Sequence, residues 1–157
     1  MSLDIPRVLR RALGLMHFAS EAVDASASSI FLYGVEDQSL QGLISDWDWT
    51  RTSFSSRVEE WPSVAAALAT GEPVRIDAFH ARGAEVGWFE ARGIVSTLCV
   101  PLRDGERVLG VIFFDFAVDA PLGKAGLALL RDVGVRCARA LTRSPVRLAA
   151  VHEGWTH

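Results

Sequence analysis

Several residue types that often carry structure or chemistry are scarce in this chain. Its 157 residues include no Asn, one Lys and two Cys, Cys99 and Cys137. Two cysteines far apart, each within a hydrophobic pattern, do not make a disulfide framework, so we expect two reduced thiols in the core. No Cys-x-x-Cys and no His-Glu-x-x-His motif occurs, and the common zinc-site patterns are therefore excluded.

Long apolar runs and blocks of like charge are absent as well. No stretch approaches the roughly 20 apolar residues that a membrane-spanning helix needs. The first 23 residues lack the charged, apolar and small-residue order of a signal peptide. The formal net charge of −3 offers no electrostatic footprint for nucleic acid. We therefore expect a cytoplasmic protein that has neither a membrane nor a nucleic acid as its partner.

What the chain does contain is enough apolar material for one core. Half of its residues are hydrophobic and 22% are charged, which is typical of a soluble globular domain of this length. We predict a single domain over residues 4–144, followed by a short tail over residues 145–157.

A hairpin near the middle of the chain organises the rest. Residues 95–102 and 107–116 are rich in β-branched and aromatic side chains, and the Asp104-Gly105 pair between them suits a tight turn. Pro101 lacks a backbone donor and should lie at a strand end or a bulge, while Gly110 indicates a close backbone approach. The nearly continuous hydrophobicity of residues 108–114 predicts that both faces of the sheet are covered.

Hydrophobic periodicity and turn residues divide the rest of the chain into elements. The polar residues 50–60 predict a mobile connection. Gly71 is expected to end the short helix over residues 63–70. The other predicted elements are an amphipathic helix over residues 5–23, strands over 28–33, 40–49 and 74–79, short helices over 63–70 and 84–91, and a long helix from Pro121 to about residue 144.

Two segments carry a family resemblance. From Gly93, the order Gly-Ile-x-Ser-x-x-x-Val-Pro-Leu, a charged turn and Val-Leu-Gly-Val-Ile-Phe-Phe-Asp resembles the core hairpin of GAF domains, which are sensory modules of bacterial signalling proteins. Upstream, the helix followed by Thr-Gly-Glu-Pro-Val from Thr70 is similar to another segment of that family. The resemblance covers roughly residues 28–143.

Together with the predicted elements, this resemblance implies an α+β fold of the GAF-like (profilin/PAS-like) kind. An antiparallel sheet of five to six strands would carry the first and last helices on one face. Short helices and loops would form a pocket on the other face, where an adaptable binding wall is expected. Candidate ligand-binding residues in these segments are Trp47, Asp48, Trp49, Trp61, Asp77, His80, Trp88, Phe89, Thr97 and Cys99.

The concentration of Trp in these segments has two interpretations. Exposed rings would forfeit burial free energy, so they must be covered by each other or by a ligand. Either the rings fill the pocket and extend the core, or they line a cavity in which Asp48, Asp77, His80 or Thr97 anchors a small molecule. A protein-binding surface is a third possibility, since Trp is favoured at such interfaces.

Catalytic and cofactor chemistries find weaker support. His80 and Asp77, with Ser96 or Cys99, supply the residue types of a nucleophilic site, but no Gly-x-Ser-x-Gly elbow occurs. A metal ion would have to recruit ligands from among His80, Asp77, Glu85 and Cys99, whose spacing matches no known metal-binding motif. Haem would need His80 as its ligand. We therefore predict no metal, no catalytic residue and no identified cofactor.

Comparison with GAF domains of known function reduces the number of candidate functions. The absence of Asn argues against the Asn-Lys signature of cyclic-nucleotide-binding GAF domains, and neither cysteine lies in a loop as bilin attachment requires. The free methionine-(R)-sulfoxide reductases are stand-alone GAF enzymes and need paired redox cysteines; Cys99 and Cys137 are expected on opposite layers.

The order of the Trp-rich, polar, Thr-Gly-Glu-Pro-Val and hairpin segments in this chain is most similar to that of GAF domains that precede histidine kinases and diguanylate cyclases. It implies a non-enzymatic sensory module that binds a small organic ligand of unknown identity and forms a homodimer through its first and last helices. The alternative is an interaction module with a filled pocket. A thiol-dependent reductase is the enzymatic alternative.

Overall fold

The computed structural model describes residues 7–45, 55–119 and 122–143. The predicted site residues Trp47, Asp48 and Trp49 and the predicted tail lie outside these ranges. In chain order the elements are α1 (Arg7–Val23), β1 (Ala27–Gly34), β2 (Ser39–Ser45), β3 (Ser55–Arg57), a 3-10 turn (Val58–Glu60), α2 (Pro62–Thr70), β4 (Val74–Asp77), α3 (Ala84–Arg92), β5 (Ser96–Asp104), β6 (Arg107–Phe116) and α4 (Lys124–Thr142).

The six described strands form one antiparallel sheet in the order β3-β2-β1-β6-β5-β4. The first three strands in sequence therefore lie side by side, as do the last three, and the two sets meet where β1 pairs with β6. The predicted α+β architecture with a sheet of five to six strands is confirmed, with six strands.

The predicted central hairpin is confirmed as β5 and β6. Asp104 pairs with Arg107 across a two-residue loop in which Gly105 has a φ of 64°, a conformation that glycine adopts at little cost. Gly110 faces β1 so closely that an added Cβ would lie 2.0 Å from the Phe31 carbonyl oxygen. Pro101 lies within β5 rather than at its end, one residue before an irregularity in pairing between Leu102 and Arg103.

The polar connection after β2 is more ordered than its composition predicts. Within its described part, β3 pairs with β2, with Ser39 opposite Arg57. Residues 58–60 then form a 3-10 turn that buries Val58. The expectation of a mobile connection is therefore wrong for residues 55–60, because the edge of β2 offers backbone partners that a polar strand can use.

Helices α1 and α4 cover one face of the sheet, as predicted. They run antiparallel, with the Cys137 thiol 3.9 Å from the Ala12 carbonyl oxygen. Between them and the sheet lies a largely aliphatic core, which we call the helix-face core. Its members include Met16, Ile30, Leu98, Val100, Leu102, Ile112, Phe114, Leu130 and Cys137. Successive strand residues point to opposite faces, so their neighbours in sequence lie on the other side.

The short helices α2 and α3 belong to that other side. Helix α2 begins with Pro62 at its first position and ends at Gly71, whose φ of 68° closes the last turn. Helix α3 ends in the same way at Gly93, with a φ of 61°. Across the three described ranges, no helix combines the length and the hydropathy required to cross a membrane.

Candidate functional site

Four aromatic rings meet on the sheet face that α2 and α3 cover. Phe31 projects from β1 and Phe113 from β6, Trp61 precedes α2, and Trp88 lies on α3. All six pairs of ring centroids are between 5.3 and 6.5 Å apart. Three of these pairs are edge-to-face, the geometry that aromatic quadrupoles prefer. We call these four rings the aromatic cluster.

The two indoles of the cluster differ in burial and in their polar contacts. Trp61 is 1% exposed and donates its Nε1 proton to Ser56 Oγ at 3.0 Å. Trp88 is half-buried and donates from Nε1 to Asp115 Oδ1 at 3.3 Å. Trp61 is therefore a fixed part of the core, while Trp88 is the ring that solvent reaches.

A buried carboxylate lies behind Trp88. The side chain of Asp115 is fully buried, and its Oδ2 forms an ion pair with Arg92 Nε at 2.7 Å. Thr97 Oγ1 lies 2.8 Å from Asp115 Oδ1 and 3.1 Å from the Phe114 carbonyl oxygen. The Arg92 guanidinium carbon also stands 4.2 Å above the Trp88 ring, within cation–π range.

Burial determines the pKa of Asp115 in its ion pair with Arg92. Removal of water raises the pKa of Asp115, and the nearby Arg92 guanidinium, the Thr97 hydroxyl and the Trp88 indole oppose that rise. The ionised carboxylate is disfavoured by desolvation and stabilised by three side-chain donors. The position of Trp88 is therefore coupled to the charge beneath it.

A second buried carboxyl group lies where α2 and α3 meet. Glu85 is 1% exposed, and its Oε1 accepts a hydrogen bond of 2.7 Å from the backbone N–H of Ser63 in the first turn of α2. A carboxylate at this position satisfies an otherwise unpaired helix donor and complements the helix dipole. Glu85 Oε2 and Ser63 Oγ have no hydrogen-bond partner within the described ranges.

The two cysteines lie in different cores, as predicted. Cys99 belongs to the aromatic side and Cys137 to the helix-face core, and both are free thiols. Burial, with a smaller contribution from the Glu85 charge, raises the pKa of Cys99, and burial raises the pKa of Cys137 to about 12. Reactive thiols have lowered pKa values in electropositive surroundings, and neither cysteine has such an environment.

The predicted site residues do not all come together. Trp61, Trp88 and Cys99 belong to the cluster side, and Thr97 lies beneath it. Phe89 is buried on α3. Asp77 and His80 instead form an exposed turn after β4, in which His80 Nδ1 lies 2.8 Å from Asp77 Oδ1, and this hydrogen bond is the main cause of the lowered pKa of Asp77.

Several residues at the centre of the site were not predicted as site residues. Phe31 and Phe113 lie in predicted strands, and Arg92 directly follows the predicted helix over residues 84–91. Asp115 carried a usable signal, since it is the one charged residue in the apolar run 108–116, and a buried charge needs a partner. As for metals, the part of the chain that the structure describes contains no group of three His, Cys, Asp or Glu placed to hold one.

The comparisons with known proteins agree with this fold. The family model for the GAF domain matches residues 9–141. No curated protein matches the chain significantly.

Solved structures share the fold at low sequence identity. A GAF domain from a phosphoenolpyruvate-protein phosphotransferase of Coxiella burnetii has a TM-score of 0.78 at 13% identity, covering 93% of this chain and 89% of that chain. The GAF domain/HD domain protein from Geobacter sulfurreducens has a TM-score of 0.74 at 14% identity, with coverages of 89% and 95%. The GAF domain of a two-component sensor histidine kinase from Bacillus halodurans gives 0.74 at 13%, with coverages of 88% and 97%.

Proposed function

The chain belongs to the GAF domain family, and from this premise we propose that it is a cytoplasmic sensory or regulatory module of bacterial signal transduction. Its ligand would be a small organic molecule that binds at the aromatic cluster. Structural relatives from a sensor histidine kinase and a phosphotransferase support the signalling role. Because folds of this kind host many functions, the proposal depends on the cluster itself.

The observation that carries the proposal is the unmet hydrogen-bonding capacity beside the rings. Glu85 Oε2 and Ser63 Oγ are buried without a partner among the described residues. Leaving a buried polar group unsatisfied costs about 1–3 kcal/mol. In a closed core this would be a pure loss, whereas in a binding site the same groups recognise a ligand.

The chemistry of these groups specifies the kind of ligand. A carboxylate accepts hydrogen bonds, and the adjacent rings offer flat apolar and π surfaces. The complementary molecule is a small planar or aromatic compound with an amine, amidine or other hydrogen-bond donor. Such a ligand would place its donor at Glu85 and its ring against Trp88.

Helix α3 is the element that would admit the ligand. It buries only Glu85 and Phe89, and glycines with positive φ, Gly83 and Gly93, flank it at both ends. Its outer ring, Trp88, is half-buried and held by a hydrogen bond of 3.3 Å. A small rotation of α3 that releases the Trp88 hydrogen bond would open the cluster, with the Arg92–Asp115 ion pair holding the end of the helix on β6.

The output would pass through the opposite face. We propose that α1 and α4 form a homodimer interface, as the family resemblance implies. Phe18 on α1 is 61% exposed, an apolar residue that a partner helix would cover. Analytical ultracentrifugation of the wild-type chain and of Phe18→Glu tests this part, since the substitution should shift a dimer to monomer.

A filled cluster is the second candidate, in which the module acts only through protein contacts. The near-complete burial of Trp61 and the contact of all four rings favour it. The enzymatic alternative of a methionine sulfoxide reductase requires two thiols that exchange electrons, and Cys99 and Cys137 lie in separate cores.

Native mass spectrometry of the freshly purified protein is the first test, together with its absorption spectrum. A reproducible extra mass that is lost in Glu85→Gln and kept in Glu59→Gln, a substitution at an exposed acid, supports the ligand site. A bare mass, together with no thermal stabilisation by a panel of aromatic amines, contradicts it and favours the filled-cluster module.

A further inference from the structure

A cavity on the outer side of α1 and α4 has a lining unlike the rest of the surface. It has a volume of about 230 Å³, and four arginines and one acid supply its charged lining, together with two small or aliphatic residues. The lining residues are Arg11 and Leu15 from α1, Asp132, Arg136, Arg139 and Ala140 from α4, and Arg143, which follows α4. We call these residues the arginine groove. The groove bears a net charge of +3 on a chain whose net charge is −3.

Most of this positive charge is not neutralised within the described part of the protein. Asp132 pairs with Arg136 at 2.8 Å. For Arg11, Arg139 and Arg143, no ion pair with an acid occurs among residues 7–45, 55–119 and 122–143. Three arginines thus line one cavity without an acidic partner among the described residues. All three are exposed, so water screens their mutual repulsion, and their charges remain available to an anion.

Ordinary helix stabilisation accounts for only part of the arrangement. Arginines in the last turn of α4 interact favourably with the negative end of its dipole, which suffices for Arg139 and Arg143. It does not account for Arg11, which comes from the positive half of an antiparallel helix. Two helices therefore deliver like charges to the same opening.

From this geometry we propose that the arginine groove binds a diphosphate group. Guanidinium forks match phosphate oxygens in two-point hydrogen bonds, and several forks around one cavity suit a multivalent anion. The volume of about 230 Å³ is below the range of roughly 300–1,000 Å³ typical of drug-sized ligands. It suits an ionic group rather than a large organic molecule.

The site is separate from the aromatic cluster, because the sheet lies between them. Its ligand would bridge α1 and α4, the two helices proposed to carry the output. A bound diphosphate would hold these helices together at the end where their like charges otherwise repel. The groove is thus a second input that acts directly on the helix pair.

Isothermal titration calorimetry of the full chain with sodium pyrophosphate tests the proposal. We expect saturable binding that Arg139→Gln and Arg143→Gln each weaken by about tenfold, since each removes a charge-assisted hydrogen bond. Asp132→Asn should tighten binding, because it removes the only acid in the groove lining. Arg107→Gln, at an exposed arginine of the β5–β6 hairpin, is the matched control and should leave the affinity unchanged.

Thermal denaturation separates binding from folding. Without pyrophosphate, Arg139→Gln should melt close to the wild type, because the lost interaction with the helix dipole and the relieved repulsion between exposed like charges are both small and oppose each other. A lack of saturable heat, equal weakening by Arg107→Gln, or sulfate binding as tightly as pyrophosphate would each overturn the proposal. Binding of a single-stranded oligonucleotide without binding of pyrophosphate would overturn it too.

The diphosphate has two possible sources, the inorganic ion and a nucleotide. Equal affinities for pyrophosphate and ADP would assign the site to the diphosphate alone. Tighter binding of ADP would assign it to a nucleotide whose base contacts the adjoining helix surface.

Discussion

The two faces of the sheet are built by the same strands and yet differ in chemistry. Along β6, Ile112 and Phe114 point into the helix-face core, while Phe113 and Asp115 point to the aromatic side. The helix-face core is dominated by aliphatic side chains. The aromatic side buries two carboxylates and a guanidinium among its rings. The helix-face core is therefore held by aliphatic packing, whereas the aromatic side combines packed rings with buried ions, which return little net stability.

The faces also differ in where their helices are seated. An added Cβ at Gly134 of α4 would lie 2.6 Å from the Pro101 carbonyl oxygen, so α4 rests directly on the β5 backbone. Helix α3 makes no comparable backbone approach through Gly87, where an added Cβ would meet nothing within 4 Å. The two helices are therefore seated at different points: α4 in its middle, and α3 at its N-cap, where an added Cβ at Gly83 would lie 2.5 Å from the Glu60 carbonyl oxygen.

The largest expected loss of stability tests whether the aromatic cluster is part of the packed hydrophobic core. Trp61→Ala should destabilise the protein by about 3–5 kcal/mol, as expected for a fully buried large ring. Trp88→Ala should cost less, because Trp88 is half-buried. Urea denaturation followed by circular dichroism measures both. Equal effects at the two positions would contradict the distinction between a fixed and a movable indole.

Breaking the buried ion pair should have the next largest effect. Arg92→Met leaves Asp115 in the core without its cation, which we expect to cost about 3 kcal/mol. The double variant with Asp115→Asn should recover part of the loss, since it removes the stranded charge. A double-mutant cycle of unfolding free energies gives the coupling. A coupling energy near zero would show that the pair does not organise this face.

A smaller effect tests the tight seat of α4. Gly134→Ala should destabilise by about 1–3 kcal/mol through overpacking against β5, even though Ala is the better helix former. Gly14→Ala on α1 is the control, because an added Cβ there meets nothing within 4 Å. It should stabilise the protein by about 0.5–1 kcal/mol. Stabilisation by both substitutions would mean that α4 shifts easily.

The smallest effect is one of titration and has opposite signs for two aspartates. Carbon-13 NMR should find the carboxyl of Asp115 titrating above 3.8, its usual value, and that of Asp77 below 3.8. A raised pKa stabilises the fold at low pH and loses this contribution as the pH rises through the folded value; a lowered pKa does the reverse. Asp115 titrating below Asp77 would contradict the account of burial.

Sequence patterns were sufficient for the scaffold because its signals are local. The β5–β6 hairpin followed from two β-rich runs around Gly105, and the end of α2 followed from Gly71. The opposite layers of Cys99 and Cys137 followed from the element that holds each one, a predicted strand for Cys99 and the predicted last helix for Cys137. Each of these inferences uses residues only a few positions apart.

The candidate site was harder to predict because its contacts are long-range. Asp115 and Arg92 are 23 positions apart, and Glu85 reaches Ser63 across 22 positions. His80 and Asp77 have the residue types of a binding or catalytic site, yet Asp77 is the last residue of β4 and both side chains lie in the exposed turn that follows. Polar type alone does not specify which side of a helix or turn a residue occupies.

The pairing of β1 with β6 joins strands β1–β3 to strands β4–β6, and this has a consequence for the order of folding. Ser26 donates from both its N–H and its hydroxyl to the Asp115 carbonyl oxygen, at 2.7 and 3.1 Å, across 89 positions of chain. Closing such a long loop costs conformational entropy. A fold that depends on this long-range pairing therefore forms slowly, over about a millisecond or more. The β5–β6 hairpin can form early on its own, whereas the surroundings of Asp115 are complete only when the amino-terminal half arrives. During synthesis, which begins at the amino terminus, β1 must wait until residues 107–116 have emerged before its partner strand exists.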